Sequence, residues 1–459
     1  MTDDLSPSSD LHRSADDAGF EGISRAKAPE PELRDRAISG DRYWSKDYAR
    51  REWEGMWTKV WLIGALESDV REAGDFMTLD IGAESILLVR GDDDVVRGFY
   101  NVCQHRGNKL VEAESGTLGA FTCAYHAWRY ALDGSLTFVP DEADFRQGSP
   151  CGKIGLEPVR TESFAGFIWY SLDPDVEPLK DYLGEVADHL TSYKLDKMVR
   201  THWVTVEGEF NWKCVQDNFN ESYHLEYVHP QTRFLMETRG MEHQQDLYPS
   251  GHARILIDGC RPDPRFAGQE TQIVDFMREE LEFWDLKPED FAGRMGDMRG
   301  ELQRRKRESG IEKGYDFSSF NDDQLTDHYH YTIFPNLSMS LKPDGNIFLR
   351  ASPHPTDPTK CMFDMWYFTM FPEGVTEYHS HTMKEMVSVD THVPHVVGKW
   401  PETTVGPAID QDVRVWNAQQ KGLQSRGYRG GYYAWQERRV RYFHDNLDRY
   451  VDRVPPAAG

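Results

Sequence analysis

Four residues in the first third of the chain have the types and spacing of an iron–sulfur ligand set. Cys103 and His105 are separated by one residue. After seventeen intervening residues come Cys123 and His126, which are separated by two. One class of [2Fe–2S] cluster has two thiolates on one iron and two neutral imidazoles on the other, and each pair supplies one of each. The pattern therefore predicts such a cluster, held between two hairpin tips. Two alternatives stay open: four unrelated core residues, or a zinc site, although zinc fingers usually pair like ligands within each half.

A second group of ligand types lies in a later segment that reads NWKCVQDNFNESYHLEYVHP. On a continuous helix, Glu221 and Asp217 share the face of His224, whereas His229 lies about 140° away from His224 around the helix axis. Pro230 disfavours helical backbone at His229, so that this imidazole can turn back toward the same point. Two histidines and one carboxylate leave open positions on a mononuclear iron for dioxygen and substrate. A purely structural histidine pair is the alternative.

Both segments resemble the catalytic (alpha) subunits of the Rieske-type ring-hydroxylating oxygenases. The resemblance rests on CQHRG and CAYHAWRYALDG around the first group and on NWKxxxDNFxExYHxxxxH around the second. Rieske proteins of cytochrome bc complexes carry an extra cysteine near each ligand pair, whereas this chain has Asn108 and Tyr125 there. The resemblance implies that His224 and His229 bind a mononuclear iron and that Glu221 couples it to the cluster of a neighbouring subunit.

The resemblance also implies a third iron ligand, a carboxylate shortly before a Gln-x-Gly-Leu segment. Asp412, eight residues before Gln420, has the expected spacing, and Asp410 is the alternative. Either aspartate could instead be an acid in the first turn of a helix, where negative charge is favourable. For the electron path, the resemblance implies Glu221 with Asp217 as a second carboxylate.

Short apolar runs separated by turn residues surround the first group and predict a small all-β domain. They begin at VWLIGAL and end at FAGFIWYSLD, which places a Rieske domain over residues 61–172. A helical lead-in over residues 39–60 precedes it and is expected to pack on the catalytic domain. Residues 1–38 are polar and rich in Asp, Ser and Pro, which is typical of a mobile arm.

The remaining residues, 173–459, form the predicted catalytic domain. Strand-like stretches alternate with helical ones, and a long amphipathic pattern runs from Ile409 to Val454. We therefore expect an α+β chain whose second domain is an antiparallel sheet covered by helices. The resemblance specifies this domain as the helix-grip (START-like) fold that holds the mononuclear iron.

The composition of the chain argues against two classes of binding partner and favours one cellular compartment. The formal net charge of −25 at pH 7 argues against nucleic acid and against an anionic membrane surface. No run of about 18 apolar residues and no basic, apolar leader is visible. Six scattered cysteines in a long chain favour a reducing cytoplasm.

The resemblance implies a terminal oxygenase. A separate reductase or ferredoxin would reduce the cluster, and the enzyme would use dioxygen to hydroxylate, dihydroxylate or oxidatively demethylate a small aromatic or otherwise hydrophobic substrate. The expected assembly is a homotrimer, with or without β subunits. A pure electron carrier is the first alternative, disfavoured because roughly 290 residues follow the cluster domain. A catalytically inactive scaffold is the other.

Two finer expectations concern the surroundings of the metals. Few hydroxyl donors directed at sulfur are visible near the first motif, so we expect a cluster potential in the lower part of the Rieske range. Seven apolar residues are candidates for lining a substrate cavity, although core packing is favoured for each: Phe234, Leu235, Met236, Phe317, Phe320, Tyr329 and Tyr331.

Overall fold

The computed structural model describes residue 23, residues 26–234, 236–237, 243–260, 263, 265, 273 and 275–457. The described strands form two large sheets, a three-stranded sheet and a two-stranded hairpin. The larger sheets are successive in the chain, since the first uses residues 62–171 and the second residues 199–399. The predicted α+β class is confirmed.

The first sheet is antiparallel throughout, in the order β1-β10-β9-β4-β3-β2-β5. Its strands are β1 (Leu62–Leu66), β2 (Asp75–Ile81), β3 (Glu84–Arg90), β4 (Val96–Tyr100), β5 (Ser115–Thr117), β9 (Pro158–Phe164) and β10 (Phe167–Ser171). The three-stranded sheet consists of β6 (Phe121–Thr122), β7 (Arg129–Tyr130) and β8 (Leu136–Phe138). Between the two sheets lies a separate apolar core that includes Phe76, Leu87, Phe99 and Trp128. This core supports the loops that carry the four cluster residues.

The second sheet has eight strands in the order β12-β13-β14-β15-β16-β17-β11-β20. Its strands are β11 (Val199–Gly208), β12 (Gln244–Leu247), β13 (Ala253–Ile257), β14 (His328–Ile333), β15 (Leu337–Leu341), β16 (Gly345–Pro353), β17 (Cys361–Thr369) and β20 (Val396–Lys399). The hairpin between β17 and β20 consists of β18 (Glu377–Ser380) and β19 (Glu385–Ser388). The predicted antiparallel sheet is confirmed for all neighbours except β11 and β20, which run parallel.

Helices cover one face of the second sheet, and the first sheet covers the other. The helices are α1 (Lys46–Glu52), α2 (Leu179–Leu183), α3 (Glu185–Ser192), α4 (Trp212–Phe219), α5 (Leu225–Val228), α6 (Asp275–Phe283), α7 (Met298–Ser309), α8 (Pro407–Leu423) and α9 (Arg438–Val451). Phe363 of β17 meets Trp416 of α8 with ring centroids 5.4 Å apart. On the opposite face, Phe348 of β16 stacks on Phe167 of β10 at 5.1 Å. Side chains of the second sheet therefore alternate between the helix layer and the first sheet.

The segment before the first sheet lies against the C-terminal part of the chain. The Arg51 Nε–H donates to the carbonyl of Val454 (2.8 Å), and the ring of Trp57 packs edge-on against Trp212 of α4 at 4.9 Å. Most of the predicted arm over residues 1–38 lies outside the described residues. In its described part, residue 23 and residues 26–38, the Arg34 N–H donates to Asp445 on α9 (2.9 Å). No helix in the described ranges is long and apolar enough to cross a bilayer.

Candidate metal centres

The four predicted cluster residues lie on two loops of the same local shape. In each loop the cysteine N–H donates to the carbonyl five residues on, at 2.8 Å for both Cys103 and Cys123. The N–H of Gly107 donates to the Cys103 carbonyl (3.0 Å), as that of Ala127 does to the Cys123 carbonyl (2.9 Å). Both turns need left-handed backbone, with φ of 72° at Gly107 and 57° at Ala127. Each loop therefore presents one cysteine and one histidine at its tip.

Side chains of like type meet across the two tips. Cys103 and Cys123 are both buried. Burial raises the pKa of the Cys103 thiol, and the neighbouring Cys123 thiol raises it further. The His105 and His126 rings lie 4.7 Å apart, and Trp128 stacks on His105 at 4.6 Å. The Nδ1 of His105 is buried and has no hydrogen-bond partner among the described residues. Two adjacent thiols, two adjacent imidazoles and an unpartnered ring nitrogen fit a [2Fe–2S] cluster with mixed ligands.

Tyr130 is a neighbour of the cluster site whose role the sequence did not reveal. Its hydroxyl oxygen accepts from the Gln104 N–H at 3.0 Å and lies 3.4 Å from the Cys103 sulfur. Burial raises the pKa of Tyr130 above its usual value, so the phenol keeps its proton at neutral pH and can donate it toward sulfur. One hydroxyl donor directed at sulfur is therefore present, which argues against a cluster potential at the low end of the range.

The Tyr130→Phe variant is expected to have a lower cluster potential than the wild type. A donor to sulfur stabilises the more negative, reduced cluster. If the variant loses about 1 kcal/mol of this stabilisation of the reduced cluster, its one-electron reduction potential falls by roughly 40 mV. A redox titration of the visible or paramagnetic signal measures the shift, and Phe138→Tyr on the exposed face of β8 is the control. An unchanged potential would show that the Tyr130 hydroxyl does not tune the cluster.

Two histidines and an aspartate come together at the helix-covered face of the second sheet. The Nε2 atoms of His229 and His224 lie 3.0 and 3.6 Å from the same carboxylate oxygen of Asp412. One ligand atom of each residue lies within 4.8 Å of the others, and this is the one such group of three that the described residues form. Asp412 and His229 are buried, and His224 is nearly so. The arrangement is that of two histidines and one carboxylate on a single metal.

Neighbouring side chains fix both imidazoles. The His224 Nδ1–H donates to Glu221 at 2.6 Å, and the His229 Nδ1–H donates to the Gln411 side-chain oxygen at 2.7 Å. In both rings the Nε2 is then left as the metal-binding nitrogen. Burial lowers the pKa of His224, but the charge and the hydrogen bond of Glu221 outweigh it, and the net shift is upward.

Pro230 has the predicted effect on His229. Helix α5 ends at Val228, and His229 has φ −119° and ψ 64°, outside the helical region. Because the backbone leaves the helix there, the imidazole turns toward His224 instead of lying about 140° round the axis.

The structure separates the two candidate aspartates of α8. Asp412 lies one turn into the helix and meets both histidines. Asp410 accepts hydrogen bonds from the Trp400 indole N–H and the Val405 backbone N–H, each at 3.1 Å. Asp410 therefore stabilises the approach to the helix, the role expected of an acid in a first turn.

The prediction that Asp217 shares a helix face with His224 is wrong. Helix α4 ends at Phe219, because the Asn220 side chain donates to the Gln216 carbonyl and the Glu221 carboxylate accepts from the backbone N–H groups that follow it. Such side-chain bonds to backbone compete with helix continuation.

Asp217 belongs to a separate buried cluster. Its carboxylate accepts from the Tyr43 hydroxyl and lies 3.0 Å from Nε2 of His444 on α9. Asp217 therefore joins α4 to the lead-in and to α9, and it is not part of the wall around the three predicted iron ligands.

A cavity of about 200 Å³ adjoins His224, His229 and Asp412, and we call it the iron cavity. Its described wall is largely aliphatic and includes Leu225, Ile255, Ile257, Ile347, Leu349 and Ile409. Burial lowers the pKa of His328, another wall residue, to about 3, so its imidazole is neutral. An apolar ligand is therefore favoured beside the predicted iron ligands.

The apolar candidates from the sequence divide between wall and core. Met236 lines the iron cavity. Phe317, Phe320, Tyr329 and Tyr331 are buried in the main core and are not in the described cavity wall, as the preference for core packing anticipated. Leu235 and the side chain of Phe234 lie outside the described residues.

Comparison with protein families gives two matches. Residues 195–453 match the catalytic domain of the ring-hydroxylating alpha subunit, and residues 60–153 match the Rieske [2Fe–2S] domain. The two matches contain all of the predicted iron and cluster residues. The chain therefore carries a Rieske domain and a catalytic domain of the kind that binds mononuclear iron.

Curated relatives include both monooxygenases and dioxygenases. The carnitine monooxygenase oxygenase subunit of Escherichia coli K12 is 36% identical over 197 residues, 41% of this chain and 50% of the relative. The glycine betaine monooxygenase oxygenase subunit of Pseudomonas aeruginosa is 34% identical over 175 residues, 38% of this chain and 40% of the relative. The large oxygenase component of the 2,4-dinitrotoluene dioxygenase system of Burkholderia sp. is 30% identical over 57% of this chain and 60% of the relative. The chain thus spans about half the length of the curated relatives it matches.

Solved structures show the same fold over nearly the whole chain. A quaternary ammonium Rieske monooxygenase in complex with L-carnitine has a TM-score of 0.63 at 19% identity, covering 90% of this chain and 95% of that one. Naphthalene 1,2-dioxygenase from Rhodococcus sp. bound to indole has a TM-score of 0.62 at 20% identity, covering 91% and 95%.

Proposed function

The chain belongs to the family of ring-hydroxylating oxygenase alpha subunits, and on that premise we propose that it is a terminal oxygenase. It takes electrons from a partner reductase or ferredoxin and uses dioxygen to oxidise a small apolar substrate. The observation that carries the proposal is the gathering of His224, His229 and Asp412 beside an apolar cavity. A pure electron carrier has no use for this second site.

Each residue of the site has a distinct task in this proposal. His224, His229 and Asp412 would hold an iron that, when bound, supplies dioxygen activation, while the cluster at the loop tips supplies electrons. Glu221 and Gln411 hold the two imidazoles in the orientation and tautomer that metal binding needs. The aliphatic wall excludes water and orients the substrate.

Glu221 is the proposed link to the cluster of a neighbouring subunit. Its carboxylate accepts from the His224 ring and from two backbone N–H groups, which uses three of about four acceptor positions. The side chain stays 11% exposed, and Tyr223 and Tyr227 beside it are 51% and 72% exposed. One acceptor position and an exposed aromatic surface are therefore available to a cluster histidine of a second copy. We accordingly propose that this surface contacts a neighbouring subunit in a homotrimer, with or without β subunits. Asp217 has no part in this link, because its carboxylate bonds Tyr43 and His444 instead.

The substrate is proposed to be a neutral hydrocarbon-like molecule, as expected in aromatic catabolism. A quaternary ammonium group is usually held by an aromatic cage, whereas Phe219 is the one Phe, Tyr or Trp in the described wall of the iron cavity. The six unpaired cysteines support a reducing cytoplasm as the compartment.

Oxygen insertion tests the proposal. The holoprotein with NADH, a reductase and a ferredoxin is expected to incorporate label from ¹⁸O₂ into toluene or naphthalene, followed by mass spectrometry. Carnitine and glycine betaine, offered under the same conditions, are expected to give at least about tenfold less product, since the described wall offers a cation the single ring of Phe219 and no aromatic cage. About two irons per chain and no product from any substrate would favour the electron carrier.

A further inference from the structure

One polar residue in the wall of the iron cavity has no partner for its side chain. His328 lies on β14 directly opposite Ile257 of β13, and both residues line the cavity. The His328 ring forms no hydrogen bond with any described residue. The residue is partly exposed, and neither ring nitrogen is fully covered by protein atoms. Because burial nevertheless lowers the pKa of the ring to about 3, its exposed surface faces the cavity and not bulk solvent.

The other polar side chains of the described wall, outside the predicted iron site, already have partners. They are Thr232, His330 and Ser340. The Thr232 hydroxyl donates to the His229 carbonyl at 2.8 Å. His330 bonds the Ser340 hydroxyl through Nδ1 at 2.8 Å, and its Nε2 is fully covered by protein atoms. In this part of the described wall, His328 is therefore the one polar side chain that can bond a ligand without first giving up another contact.

The position of His328 on its strand separates it from the predicted iron ligands. The Thr332 hydroxyl on β14 donates to the side chain of Asn220, which follows α4 and directly precedes Glu221. His328 precedes Thr332 by four residues, a distance of roughly 13 Å along a strand. The ring therefore lies toward the end of the cavity that is farther from the loop carrying Glu221 and His224.

The surroundings of the His328 ring favour a neutral ligand group. Burial and Lys342 lower the pKa of the ring, and Glu280 opposes them, so the ring is neutral near pH 7. A neutral imidazole offers one N–H donor and one acceptor nitrogen. It carries no charge to pair with a carboxylate, and burial of a carboxylate without a countercharge is costly. A hydroxyl or carbonyl group matches the ring better than a charged group does.

The volume and the remaining wall limit the rest of the ligand. An apolar cavity of about 150 Å³ can hold benzene, and the iron cavity measures about 200 Å³. It therefore admits one ring with small substituents. The rest of the described wall is largely aliphatic and offers no further unpartnered polar group away from the predicted iron site. A matching ligand is a single-ring apolar molecule with one neutral polar substituent.

We propose that His328 determines substrate specificity by hydrogen bonding to a neutral polar substituent at the end of a single-ring substrate away from the predicted iron. This inference rests on the proposed oxygenase function and deepens it, because it selects, among small apolar molecules, those that carry one hydroxyl or carbonyl group. The same contact would determine which carbon of the ring faces the predicted iron ligands.

Two ligands that differ in one group test the contact at equilibrium. The anaerobic holoprotein is titrated calorimetrically with 4-methylphenol and with p-xylene, which have nearly the same shape. The wild type is expected to bind 4-methylphenol about fivefold more tightly, a typical net gain from one neutral hydrogen bond. His328→Leu should weaken the binding of 4-methylphenol at least about fivefold, because the buried hydroxyl loses its partner. The same variant should bind p-xylene as tightly as the wild type or more tightly.

Two further variants separate the hydrogen bond from the shape of the wall. His328→Gln keeps a donor and an acceptor, so its preference for 4-methylphenol should stay within about twofold of that of the wild type. Ile257→Val shortens the residue directly opposite His328. It should change the affinities for both ligands by the same factor and leave the preference unaltered.

The outcomes distinguish this contact from the oxygenase function. No preference in the wild type, or an unchanged preference in His328→Leu, would overturn the proposal. Tighter binding of 4-methylbenzoate than of 4-methylphenol would overturn the neutral class. Because binding is measured without oxidation, oxidation of toluene by a protein with no such preference would leave the oxygenase function standing. A preference that depends on His328, with no ¹⁸O incorporated into any substrate, would support the contact and count against the oxygenase function.

Discussion

Replacing Glu221 by glutamine is expected to lower product formation by about 100-fold or more while both metals stay bound. The carboxylate accepts from the His224 ring and from two backbone N–H groups. Glutamine has only one acceptor oxygen. In either orientation of its amide, the NH₂ group would point at one of the N–H donors that the carboxylate now accepts from, and that hydrogen bond would be lost. Loss of such an orienting contact on a metal-binding histidine costs about 10- to 100-fold. The rest of the expected loss comes from the electron path proposed through the same carboxylate.

Single-turnover measurements locate the lesion. Dithionite should reduce the cluster of Glu221→Gln at the normal rate, but the reduced cluster should persist when substrate and dioxygen are added. Glu226→Gln is the matched control, because this nearby glutamate pairs with Arg265 at 2.9 Å and does not contact either predicted iron-binding histidine. Turnover of Glu221→Gln within a few fold of the wild type would remove Glu221 from the path.

Local chemistry explains which parts of the site the sequence could predict. Ligand types and spacings at Cys103, His105, Cys123 and His126 identified a cluster motif, and the matching family model covers that region. The effect of Pro230 on the preceding backbone depends only on neighbouring atoms, so it too could be predicted. Strands with alternating or continuous apolar residues, such as β3 and β17, could also be predicted, because the apolar pattern is local in the sequence.

Features that depend on distant parts of the chain could not be predicted. Helix α4 was expected to continue, but the Asn220 carboxamide also accepts from Thr332 on β14, 112 residues away, which holds it in the position that ends the helix. The partners of Asp217, Tyr43 and His444, come from opposite ends of the chain. Helical periodicity alone therefore assigned Asp217 to the wrong surroundings.

Replacing Asp412 by alanine is expected to remove the mononuclear iron and all product formation while the cluster keeps its colour. The variant leaves two histidines, and among the described residues Asp412 is the one carboxylate within reach of both. The iron content should fall from about three irons per chain to about two, since the two irons of the cluster are untouched.

Asp410→Ala is the matched control, two residues away on the same helix. It should lose about 1 kcal/mol of unfolding free energy with its hydrogen bonds to Trp400 and Val405 but keep three irons and substantial activity. The opposite pattern would make Asp410 the ligand, and it would require the start of α8 to rotate so that Asp410 replaces Asp412 beside His229.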